Sequence, residues 1–111
     1  MGLAAKACEP CRGGVAPLTA EEAGRYLLET PGWTLSDDAT SIERAYTFRN
    51  FALAMEFVRK VGDLAEREGH HPDIAFGWGY CRIAFQTHKI RGLHENDFIM
   101  AAKVDELAGS A

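Results

Sequence analysis

No apolar run in the sequence approaches the roughly 18 residues of a membrane-spanning helix, so a helical membrane protein is excluded from the expectation. Basic residues never cluster beyond a pair, and the formal net charge is −4. A surface that tracks nucleic-acid phosphates, and hence direct nucleic-acid binding, is not expected. Cysteine is scarce and odd in number, with three in 111 residues, which does not suit a disulfide framework. Met1 to Ala7 carries one lysine and too few apolar residues for a secretory signal. The expected location is the cytoplasm, with the nucleus as a further one. Only four histidines occur, and two of them, His70 and His71, are adjacent.

What is present argues for one folded domain. Hydrophobic residues make up 47% of the chain, enough for a modest core. Residues 1–18 hold two prolines and no hydrophobic period and read as an irregular arm; residues 19–111 read as the domain. Cys8-Glu9-Pro10-Cys11 in the arm has metal-ligand or redox spacing. Structural zinc, however, needs a second such pair, and a thioredoxin-like motif sits between strand and helix. The pair therefore reads as a silent or merely oxidisable tail, and Cys81 as a small buried apolar residue.

Thr19 and Glu22 form a capping-box pattern for a short helix to about Glu29, stopped at Thr30-Pro31-Gly32. An extended segment from Trp33 and a partner over Ser41 to Phe48 follow, with Ile42, Arg44, Tyr46 and Phe48 on one face. Asn50 caps the strongest helical pattern. There Phe51, Ala54, Met55, Val58, Val61 and Ala65 recur at three- and four-residue steps, with Leu53, Phe57 and Leu64 widening the stripe. Gly69 suits its end and Pro72 forbids resumption. Strands are expected over Ile74 to Trp78 and Tyr80 to Thr87, then a helix from about Glu95 to Leu107 carrying Phe98, Ala101, Ala102 and Val104. That order predicts an α+β fold: a four-stranded antiparallel sheet with three helices packed on one face. Few residues remain for the sheet's other face, which a second subunit would cover.

Three readings of the histidines compete. They can be surface groups, or imidazoliums favoured by the negative end of the preceding helix. They can be metal ligands, with His70, His71, His88, Asp73 and Asp97 as donors. Adjacent side chains diverge, though, and the helical His-x3-His spacing is missing, so no metal is expected. Or they can move protons: with a reference pKa of about 6.5, an imidazole donates or accepts near neutrality with little penalty. A reaction that protonates one leaving group and deprotonates another atom needs two such rings, and a third can hold the substrate.

Glu66-x3-His70-His71-Pro72, the aromatic Trp78, Thr87-His88 and Gly92-Leu93-x3-Asp97 together resemble the pterin-4a-carbinolamine dehydratase family. The resemblance runs from about Leu18 to Leu107 and includes Pro31-Gly32-Trp33. It implies dehydration of 4a-hydroxytetrahydropterin (4a-hydroxytetrahydrobiopterin) to quinonoid dihydropterin and water, a step in tetrahydrobiopterin recycling, with no metal or bound cofactor. It implies a homodimer or homotetramer. Position by position, His70 and His88 resemble the pair that exchanges protons, with acid and base left open between them, and His71 the ring that orients the pterin. Glu66 is expected to hold an imidazole. Asp97 is expected to support the third histidine, His88, or to meet the pterin. Pro72 and the backbone of Thr87, His88, Lys89 and Ile90 are expected to line the pocket, with Trp33 as a wall. Two positions depart from the family pattern. His94 stands where Ser or Thr is common, a weaker cap for the last helix, and Gly79 replaces a common asparagine. Some animal members also stabilise dimers of a homeodomain transcription factor; transfer of that role to this chain has little support in its sequence.

Overall fold

The computed structural model describes residues 2–10 and 13–109 of the chain. Three helices, α1 (Ala20–Leu27), α2 (Phe51–Glu68) and α3 (Glu95–Gly109), accompany four strands, β1 (Thr34–Leu35), β2 (Ile42–Thr47), β3 (Asp73–Gly77) and β4 (Tyr80–Phe85). The strands form one antiparallel sheet in the order β1-β2-β4-β3. This is the expected α+β architecture, with the helices packed on one face.

Local chemistry sets the element ends. The Thr19 hydroxyl accepts the Glu22 N–H while Glu22 accepts the Thr19 N–H, a complete capping box. Asn50 accepts the Leu53 N–H at the start of α2. Gly69 closes α2 in the left-handed region at φ 68°, where a glycine has no Cβ penalty. Gly79, at φ 84° in the β3–β4 turn, explains one departure from the family pattern. Glycine and asparagine are the residues that take this conformation most readily.

Alternation along β2 and β4 buries Ile42, Tyr46, Cys81, Ile83 and Phe85 beneath the helices, with Glu43, Ala45, Thr47, Tyr80 and Arg82 on the outer face. α3 crosses the centre of the core, burying Phe98, Ile99, Met100, Ala101 and Val104. α2 contributes Ala54, Phe57, Val61, Leu64 and Ala65. The expected stripe on α2 is thus corrected at Phe51, Leu53 and Met55, which are exposed. The 3.6-residue period places them beside the buried row; Phe51 stacks on Phe76 of β3, with ring centroids 5.3 Å apart, and still keeps much of its surface exposed.

The N-terminal arm is also less detached than its composition suggests. Residues Leu3–Ala5 form a 3-10 turn, and Leu3 joins the hydrophobic core. Lys103 of α3 donates its ammonium to the Ala4 carbonyl. Cys11 lies outside the described residues, so the Cys8–Cys11 pair has no structural account. Cys8 itself is not a reactive thiolate: burial first, and then the Glu68 carboxylate, push its thiol up to about 12.

Candidate functional site

The end of α2 and the end of β4 meet at one place. Gly69 terminates the helix, and the next two residues are His70 and His71. β4 ends at Phe85, and Gln86, Thr87, His88 and Lys89 follow. These two segments face each other across an open cleft of about 280 Å³ lined by Gly69, His70, His71, Gln86, Thr87, His88 and Lys89. Its size lies near the lower end, roughly 300 Å³, of small-molecule pockets. The three histidines expected to act together are therefore brought together.

They occupy different environments. His70 is 5% exposed, and its ring lies nearly parallel to Phe85, with centroids 6.1 Å apart and planes 13° apart. Its Nε2 lies 2.6 Å from Asp97 Oδ1. A carboxylate only accepts, so His70 donates its Nε2 proton in this bond. His71 is exposed, and its Nε2 is hydrogen-bonded to Glu66, likewise exposed. Glu66 thus does hold an imidazole, that of His71. His88 is exposed and opens a short 3-10 turn, His88–Ile90. That turn is closed by a reciprocal pair of backbone hydrogen bonds between Thr87 and Gly92.

Asp97 organises the floor beneath them. It is fully buried, and besides His70 it accepts the Thr87 hydroxyl at 2.8 Å and the His94 backbone N–H at 3.0 Å, both on Oδ2. One carboxylate therefore ties together the second residue after α2, the residue before His88 and the start of α3. The expectation that Asp97 supports His88 is corrected: its ring partner is His70, while Thr87, next in the chain to His88, is held through its hydroxyl. His94 caps α3 after all. Its Nδ1 accepts the Asn96 N–H at 3.0 Å, so a ring nitrogen replaces the hydroxyl oxygen of the usual cap, and Asp97 completes the reciprocal bond.

One expected pocket residue lies elsewhere. Trp33 is buried behind Phe85, with ring centroids 5.9 Å apart, and its indole N–H donates to Asp105. Asp105 also receives Arg44 and the Tyr46 hydroxyl. Trp33 is thus part of the core against which Phe85 and His70 stack, not a wall of the cleft. Pro72 and Ile90 are each next in the chain to a lining residue but are not among those that line the cleft. The sequence reading missed Gln86 and Gly69 as lining residues and Phe85 as the ring under His70. The alternation of β4, which turns Phe85 inward with Cys81 and Ile83, was the available signal for Phe85. Among the described residues, no three His, Cys, Asp or Glu side chains are placed to hold a metal ion.

The family model described as pterin 4 alpha carbinolamine dehydratase matches residues 16–107. The chain belongs to this family. It is 65% identical over 109 residues, 98% of this chain and 96% of the other, to a Methylococcus capsulatus protein named "Putative pterin-4-alpha-carbinolamine dehydratase". It is 62% identical, over 96% of this chain and 95% of the relative, to a protein of the same name from Aromatoleum aromaticum. Among solved structures it is similar to a transcriptional coactivator/pterin dehydratase from Brucella melitensis. That match has a TM-score of 0.79 and 30% identity, covering 84% of this chain and 99% of the other. It is similar too to a pterin dehydratase-like protein identified as a RuBisCO assembly factor in the alpha-carboxysome. There the TM-score is 0.62 and the identity 28%, over 72% of this chain and 93% of the other.

Proposed function

We propose that the chain dehydrates 4a-hydroxytetrahydropterin, in the form of 4a-hydroxytetrahydrobiopterin, to the quinonoid dihydropterin, serving tetrahydrobiopterin recycling in the cytoplasm. The observation that carries this reading is the convergence of His70, His71 and His88 on one cleft, with rings at the ends of two different rigid elements. Loss of water from C4a requires a proton on the departing hydroxyl while N5–H releases one. The C4a–O bond breaks, the N5–H pair becomes the C4a=N5 double bond, and the proton taken from N5 balances the one given to oxygen. No electrons are exchanged with another reactant. His70 and His88 are the pair that exchanges these protons. The two C4a epimers present the hydroxyl on opposite faces of the ring and so exchange the acid and base roles. Asp97 holds the His70 ring in place and faces it with negative charge when it takes up a proton. His88, being exposed, returns to its starting state by exchange with solvent. His71, steadied by Glu66, orients the pterin, and the backbone from Thr87 to Ile90 and the adjoining Pro72 complete its seat.

Fold alone does not decide the matter, since one structural relative bears the name of an assembly factor. A scaffold role would use the exposed apolar residues of α2, where Leu53 borders a groove that Phe48, Glu56, Phe57 and Lys60 also line. That surface, together with the uncovered outer face of the sheet, fits self-association into a homodimer or homotetramer more simply than a heterologous partner. A scaffold has no need of three imidazoles around a cleft. The test is stopped-flow dehydration of freshly generated 4a-hydroxytetrahydropterin by the native protein and its His70→Ala, His71→Ala and His88→Ala variants. Losses of about 10²–10⁴ in kcat are expected for His70 and His88, and a raised KM for His71. Native rates in both the His70 and His88 variants would refute the assignment.

A further inference from the structure

The arm that precedes the domain touches α2 and α3, the elements beside the two partners of the buried His70–Asp97 bond. Asn96 is 1% exposed, and its side-chain amide grips the backbone of Glu9 at two points. The Glu9 N–H donates to Asn96 Oδ1 at 3.0 Å, and Asn96 Nδ2 donates to the Glu9 carbonyl at 2.7 Å. One residue earlier, the Cys8 N–H donates to Glu68 Oε1 at 2.9 Å. Glu68 is the last residue of α2, two before His70, and Asn96 immediately precedes Asp97. The arm therefore bridges the chain neighbours of the two partners in the buried His70–Asp97 bond. Farther along, the Leu18 N–H donates to the Leu93 carbonyl, and Pro17 packs so closely on Gly92 that a Cβ there would come within 2.5 Å of it. Gly92 is the residue that closes the His88 turn.

We propose that residues 3–9 form a clasp that sets the spacing between the end of α2 and the first turn of α3, making Asn96 and Glu68 positioning residues for the reaction. This rests on the dehydratase reading above. The physical basis is geometric. A proton-transfer ring must stay within hydrogen-bond reach of its substrate, and a displacement of about 1 Å can cost as much as 10²-fold in rate. The Asp97 bond fixes the His70 ring only as well as the two backbones beneath it are fixed. Asn96 and Glu68 line neither the cleft nor any ring in it. Their effect runs through the arm, which is bonded to both, and through Lys103, which pairs with Glu68 and also holds the Ala4 carbonyl of the arm.

The test uses the full chain with Asn96→Ala, which frees one end of the clasp, and separately Glu68→Ala, which frees the other. The measurements are kcat, KM, the melting temperature and the proton resonance of the His70 Nε2–H held by Asp97. The expected result is a fall of about tenfold in kcat with KM changed less than about twofold, together with broadening or loss of that resonance at temperatures where both variants remain folded. Should one variant not fold, the other carries the test. A lower melting temperature with native kcat and an unchanged His70 resonance would reduce the arm to a stabilising strap and overturn the proposal. If the native protein does not dehydrate the pterin at all, the functional reading fails instead, and the His70 resonance still reports whether the clasp positions the ring.

Discussion

Asp97 receives three hydrogen bonds with no water-facing surface of its own. Asp97→Ala would leave a buried imidazole N–H, a hydroxyl and a backbone N–H without their acceptor. Each such loss costs about 1–3 kcal/mol when the group stays buried. Urea denaturation of this variant is expected to show at least about 2 kcal/mol of lost stability, along with lost turnover. His88→Ala separates the two effects. Its ring is exposed, so stability is expected to stay within about 0.5 kcal/mol of native while activity falls. Equal destabilisation by the two substitutions would contradict the division between buried support and exposed proton carrier. At this scale the sequence was legible where chemistry is local. Two histidines after a helix-ending glycine, and a third after a strand, made proton transfer one of three readings, and the resemblance to the family singled the site out. It was not legible where the partner is distant: nothing in the order of residues says that Asp97 reaches back 27 positions to His70, or that Asp105 claims the Trp33 indole.

The starts of α1 and α2 followed from side chains within four residues of them, as the bonds at Thr19, Glu22 and Asn50 show. The choice of buried face did not follow in the same way. The apolar stripe of α2 is broad enough to admit two neighbouring faces, and only the packing of the sheet and α3 selects Ala54, Phe57, Val61, Leu64 and Ala65. The connection from α2 into the site depends on Gly69, whose φ of 68° costs an L-residue about 1–2 kcal/mol. Gly69→Ala is therefore expected to lower stability by about 1 kcal/mol in equilibrium unfolding. It is also expected to reduce kcat more than KM, because His70 is the next residue. A neutral effect on both would mean that the turn is held by other contacts.

Across the whole molecule, several acidic groups hold their protons unusually tightly. Burial, and then the Glu68 carboxylate, raise Cys8 to about 12; burial raises Cys81 to about 11. Burial and the hydrogen bond to Asp105 raise Tyr46 above its ordinary 10. Below about pH 7.5 these groups are protonated in both folded and unfolded chains and contribute no pH dependence. Above it the unfolded thiols, and then the phenol, ionise while the folded ones do not. The folded state then binds more protons, and stability falls as pH rises. Denaturation midpoints measured from pH 8 to 11 are expected to decline steadily; a flat profile would contradict the burial of these groups. Assembly belongs to this scale too. If Leu53 and Met55 lie in a contact between copies, Leu53→Lys with Met55→Glu is expected to lower the sedimentation coefficient toward that of a single chain, and an unchanged coefficient would move the contact elsewhere.

The most direct test follows the four imidazoles by NMR, in protein labelled with ¹⁵N at histidine, as a stable dihydropterin is added. The ring signals of His70, His71 and His88 are expected to shift together and saturate at one ligand concentration, with His94, whose ring caps α3, moving least. Saturation that leaves the His70, His71 and His88 signals in place would contradict a common pterin site.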